Sequence, residues 1–151
     1  MALETPPPSP SLGIALALGF VAGAVSVLTF LEGSVALLSA LGGLKTNLYS
    51  LRPVPPLGVP QIASNAFWGG VWGIVFAAIA QRPLRGARYW LAGVVLGAVA
   101  LPMVGWFVVA PLKGQPLAAG WNVSRMGLSM LINGMWGLGT AVIYRLLRLR
   151  R

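Results

Sequence analysis

LGIALALGFVAGAVSVLTFLEGSVALLSALGGL, Leu12 to Leu44, carries one charged side chain, Glu32, in a run longer than the roughly 20 residues that cross a bilayer core as a helix. The stretch predicts a membrane span, either tilted or prolonged by an interfacial extension. Downstream, Arg52-Pro53-Val54-Pro55-Pro56 breaks the helix, because successive prolines remove donors and push their neighbours out of the helical region. A second span is expected from about Pro60 to Ala80. The basic turn Gln81 to Arg88 follows, and Tyr89-Trp90 anchor a third span from about Trp90 to Ala110. Pro102 lies inside that span and predicts a kink, which a membrane helix tolerates when neighbours satisfy the freed carbonyl. Pro111 to Pro116 ends it. A fourth span runs from about Asn122 to Leu147 and closes on Arg145, Arg148, Arg150 and Arg151.

Composition agrees with this division. Of 151 residues, 57% are hydrophobic and 9% charged, whereas about a quarter of a soluble chain is charged. The expected fold is an all-α integral membrane protein of four transmembrane helices over 12–151. Residues 1–11, with three consecutive prolines and no Lys or Arg, read as a disordered tail and lack the positive n-region of a secretory signal. A net charge of +9 raises the question of nucleic acid. The cations sit between and after apolar runs, as topology-setting residues do, so the expected surroundings are a lipid bilayer and not a polynucleotide. Arg82, Arg85, Arg88 and the four arginines of the tail outnumber Lys45, Arg52, Lys113 and Arg125, which predicts both termini in the cytoplasm.

The chain also resembles itself. Gly19 to Val25 and Gly93 to Val99 both read G-x-x-x-G-A-V; Asn65 to Gly69 and Asn133 to Gly137 both read N-x-[FM]-W-G; Leu44-Lys45 is matched by Leu112-Lys113. Two ordered signatures in two halves predict a duplicated helical hairpin, about 12–82 and 89–151. Each unit holds an even number of spans, so the copies share orientation about a pseudo-twofold axis along the membrane normal.

Positions four apart share a helix face. One face of the last span carries Arg125, Ser129, Asn133, Gly137, Ala141 and Arg145; one face of the second carries Gln61, Asn65, Gly69, Gly73 and Ala77. Small residues allow close backbone approach, so Gly19, Gly23, Gly69, Gly73, Gly93, Gly97 and Gly137 are expected to pack helices. Asn65 and Asn133 either bond across the pseudo-twofold axis or to freed carbonyls, or their stripes line a narrow polar path, Asn133 near the midplane and Asn65 shallower. Glu32 is the only acid in a span and is expected near the outer interface, where its bland role is an ion pair with Arg125 and its sharper one is carrying a proton or cation. Trp90 and Trp121 read as interfacial anchors; Trp68, Trp72, Trp106 and Trp136 read as lipid-facing or packed between helices.

Catalysis finds little support. Cys and His are absent, which removes thiolate chemistry, imidazole acid-base catalysis and nearly every common zinc, copper or haem site, and Ser124 and Ser129 have no basic or acidic partner at a defined spacing. No cofactor, metal site or catalytic residue is expected. The expected role is a non-catalytic accessory or self-associating helical module, as a homo-oligomer or within a larger membrane complex, packed through Gly and Ala faces. The alternative is a small channel or transporter for an ion or small solute.

From Tyr89 to Arg148 the sequence resembles the YagU-like bacterial inner-membrane proteins. The likeness rests on a Trp followed by Leu91, Gly93, Gly97 and Ala98, on the loop residues Pro111, Leu112 and Gly114, and on Asn122-Val123-Ser124 opening a last helix that ends in arginines. It implies a four-helix protein of the bacterial inner membrane with a role tied to acid or stress tolerance. That family tends to carry membrane histidines, and Asn133 lies close to one such position, so roles resting on histidine do not transfer.

Overall fold

The computed structural model describes residues 11–150, so the tail expected over 1–11 lies, but for Ser11, outside the described residues. Among the described residues four helices are long and apolar enough to cross a membrane: α1, Leu12–Ala40; α2, Gln61–Ala80; α3, Ala87–Leu112; and α4, Val123–Leu149. The first ends at Ala40 although the apolar run continues to Leu44. Gly42 takes a left-handed φ of +77°, and Gly43 N–H reaches back to the Leu38 carbonyl at 2.8 Å, a glycine cap that closes the last turn. The proline-rich break pairs briefly with itself, β1 (Pro53–Val54) antiparallel to β2 (Val59–Pro60). At the head of α4, Asn122 accepts the Arg125 N–H at 3.0 Å and caps the helix. The chain approaches that cap through Ala118 to Trp121, all at positive φ, a conformation that costs three non-glycine residues there roughly 1 to 2 kcal/mol each.

Helix α1 packs between α2 and α4, and α4 packs between α1 and α3. Both hairpins close on backbone. A Cβ at Gly23 would strike the Gly69 carbonyl, and one at Gly73 would strike the Gly19 carbonyl. In the second hairpin a Cβ at Gly97 would strike the Asn133 carbonyl, and one at Gly137 the Gly93 carbonyl. These contacts make Gly73 the counterpart of Gly137 and Gly69 the counterpart of Asn133. Matching through N-x-[FM]-W-G instead aligns Gly69 with Gly137, one helical turn away. The pattern that fits the packing is W-G-x-x-x-A, Trp72 to Ala77 and Trp136 to Ala141. Connection lengths agree. Gly19 and Gly93 are 74 positions apart while Gly73 and Gly137 are 64 apart, and the first connection, 41–60, exceeds the second, 113–122, by the same ten residues.

The two hairpins do not meet symmetrically. Trp136 is fully buried where α4 crosses α1, its indole N–H donating to the Gly23 carbonyl at 2.9 Å, while Ser26 and Thr140 hydroxyls both donate to the Trp136 carbonyl at 2.7 and 2.9 Å. Trp72, at the corresponding place, is only half-buried. At the end of the bundle beside the 81–86 turn, Phe76 packs edge-on against Tyr89 and Tyr144, Gln81 Nε2 donates to the Tyr144 hydroxyl, and Tyr89 O–H donates to the Ala141 carbonyl. Arg145 lies over the Trp90 ring and Arg148 over the Tyr144 ring, so cations and aromatics finish the same end.

Proline is absorbed by widened turns. A proline ring collides with the carbonyl four residues back. Pro102 and Pro111 each follow a five-residue π segment, Leu96–Ala100 and Gly105–Val109, in which the N–H of Leu101 or Ala110 bonds five residues back, to Leu96 or Gly105. The kink expected at Pro102 therefore takes the form of local π turns. A third π segment, Val27–Leu31, precedes no proline; it precedes Glu32.

Candidate functional site

Helix α1 has 29 residues and α2 has 20, about 44 and 30 Å at the usual rise. The glycine seam sets their antiparallel register, and continuing it brings Glu32 level with Gln61, the first residue of α2. Beyond that level α1 stands without α2 beside it, and the connection 41–60 folds against its flank.

Tyr49 fastens the connection at two points. Its backbone N–H donates to Glu32 Oε2 at 3.0 Å and its phenol O–H donates to the Leu28 carbonyl at 2.9 Å. The second bond follows from the π segment: the Glu32 N–H goes to the Val27 and Thr29 carbonyls and bypasses Leu28, the partner it would have in an α-helix. Tyr49 occupies φ +48° to make both contacts, a strained position for a residue with a Cβ. We expect Tyr49→Phe to leave the Leu28 carbonyl without that donor, to cost about 1 kcal/mol, and to raise amide hydrogen exchange across 41–60 while exchange in α4 stays unchanged. Unchanged exchange in the connection would remove this anchoring role.

Between these pieces lies a cavity of about 470 Å³ lined by Leu31, Glu32, Val35, Thr46, Asn47, Ser50, Arg52, Gln61 and Asn65. Seven of the nine are polar, at one end of an otherwise apolar bundle. Glu32 lines this space and is 7% exposed. Arg52 is exposed and lines the same space.

The residues singled out from sequence separate into different places. Glu32 and Asn65 share the cavity. Arg125 does not pair with Glu32: it is exposed at the first turn of α4, while the Glu32 carboxylate takes the Tyr49 amide. The expected ion pair is replaced because the connection 41–60, and not the head of α4, covers that flank of α1. Asn133 is away from the cavity, in the α3–α4 seam, its side-chain amide donating to the Ser129 carbonyl of its own helix at 2.8 Å. Asn65 and Asn133 thus do not bond to one another or line one path. Gly19, Gly23, Gly69, Gly73, Gly93, Gly97 and Gly137 are all buried at contacts between helices of the same chain. Sequence reasoning placed Gln61 on the Asn65 face but missed Thr46, Asn47, Ser50 and Arg52 as cavity residues. Their signal was a cluster of polar side chains in the connection directly after the span that holds the lone acid.

Compared with known proteins, the chain matches no family model, no curated protein and no solved structure.

Proposed function

We propose that the chain is an integral membrane protein of four spans, built from two like-facing hairpins with both ends in the cytoplasm of a bacterial cell, and that its work is the non-catalytic capture of a small polar solute in the Glu32 cavity. The carrying observation is a carboxylate 7% exposed in the wall of a polar cavity, at the end of an apolar bundle. An ionisable group so placed is costly unless something answers its charge. The exterior supports embedding in lipid: Val21, Val25, Phe67, Trp68, Leu91, Val95 and Val99 are exposed along the helices. The arginines of the 81–88 region and the tail favour the cytoplasm, and the cavity lies at the opposite end.

Capture without passage fits the packing best. Phe76, Trp136 and Tyr144 have no exposed surface and fill the bundle away from the cavity. The self-associating module expected from the glycine faces finds those faces already used within the chain, so a partner would meet other surfaces.

The chain has no cysteine, so single cysteines report topology directly. A membrane-impermeant maleimide should label Asn47→Cys in intact cells and Arg85→Cys only after permeabilisation, both positions being exposed. Reconstituted protein should pass no ions. The opposite labelling pattern would overturn the orientation, and a flux abolished by Asn133→Leu would replace capture by a channel.

A further inference from the structure

Two residues of opposite charge line the cavity, Glu32 and Arg52, and no ion pair joins them. Glu32 is held in place by the Tyr49 amide on one oxygen, and no other hydrogen bond to its carboxylate occurs among the described residues. Arg52 is held by backbone contacts at its own residue: its N–H meets the Ser50 hydroxyl at 3.4 Å, and its carbonyl accepts the Gln61 N–H at 2.9 Å. The two residues thus stand on separate walls, Glu32 on α1 and Arg52 on the connection. Unpaired opposite charges around one partly enclosed space select against simple ions. A bare cation would meet the guanidinium, a bare anion would meet the carboxylate, and a neutral solute would leave both unanswered.

Resting on the reading of this cavity as a solute site, we infer that it receives a small zwitterion, with a primary ammonium on Glu32 and an oxyanion on Arg52. The ammonium supplies donors for the carboxylate, and the guanidinium fork suits a phosphate or carboxylate. Thr46, Asn47, Ser50, Gln61 and Asn65 offer hydroxyl and amide groups to the remaining polar atoms. The same chemistry is carried by a free aminoalkyl phosphate and by the headgroup of an ethanolamine phospholipid.

The test is calorimetric titration of the full chain in phosphatidylcholine nanodiscs with free phosphoethanolamine. Phosphocholine has the same charges but no ammonium N–H donors, and should bind at least about tenfold more weakly. Glu32→Gln should lose binding by about tenfold or more while folding normally, because the Gln amide oxygen still accepts the Tyr49 N–H. Arg52→Gln, at an exposed position, should lose a similar factor. Repeating the titration in nanodiscs containing phosphatidylethanolamine identifies the source: binding abolished there means the lipid headgroup competes for the site, and unchanged binding means a free solute. No binding of phosphoethanolamine in phosphatidylcholine nanodiscs, equal binding of phosphocholine, or full binding by Glu32→Gln would each overturn the assignment. Such a failure with Asn47→Cys still labelled in intact cells would remove the zwitterion alone, leaving the site's orientation in place.

Discussion

Gly23→Ala is expected to destabilise the protein by about 3 kcal/mol, near the upper end of what a single added methyl costs in a packed interior. The reason is what the methyl meets. At Gly23 the new Cβ runs into the carbonyl of Gly69 and lies 2.9 Å from the Cα of Gly73, so the obstruction is backbone and the helices themselves must separate. Parting them also loosens the Trp136 indole from the Gly23 carbonyl. Gly97→Ala should cost a similar amount, since it faces the Asn133 carbonyl in the corresponding way. Gly69→Ala should cost less, because its closest obstacle is the Cγ2 of Val27, a side chain that can shift. Gly127→Ala, with nothing within 4 Å, should fall within about 0.5 kcal/mol of the parent. Mixed-micelle titration with sodium dodecyl sulfate, followed by tryptophan fluorescence, measures all four. Equal losses at Gly23 and Gly127 would mean that the seam does not hold the helices together.

The sequence showed why helices form here and roughly where, because length and apolarity decide that. It could not show where α1 stops: Leu41 and Leu44 continue the apolar run, while the stop comes from glycine geometry at Gly42 and Gly43. The match between the two hairpins was ambiguous for a related reason. Trp68-Gly69 and Trp72-Gly73 stand one turn apart on the same helix face, so either pair can be matched to Trp136-Gly137, and only the contacts of Gly19 and Gly93 choose between them. The candidate site was half legible. A lone acid in a span drew attention to Glu32, and depth arithmetic placed it toward one end of its helix. What covers it depended on the fold of 41–60, where prolines, a strained Tyr49 and a two-residue strand pair leave no periodicity to read.

Trp136→Ala is expected to be the most damaging single truncation in the chain, costing about 4 kcal/mol. The indole is among the largest fully buried side chains, and its removal opens a void where α4 crosses α1 and reaches toward Gly69. A sharper version separates volume from hydrogen bonding. Trp136→Phe keeps an aromatic ring but withdraws one of two donors from the Gly23 carbonyl, which keeps the Val27 N–H of its own helix. That loss alone should cost about 1 kcal/mol, the net worth of one hydrogen bond. Trp72→Phe is the internal comparison: it occupies the corresponding position in the first hairpin, is half-buried, and makes no such bond. It should stay within about 0.5 kcal/mol of the parent. The difference between the two phenylalanine variants therefore measures how far the hairpins, alike in their own seams, differ in the way they meet. Equal costs would mean that the Trp136 indole N–H does not tie α4 to α1, and that the asymmetry of the bundle lies in side-chain volume alone.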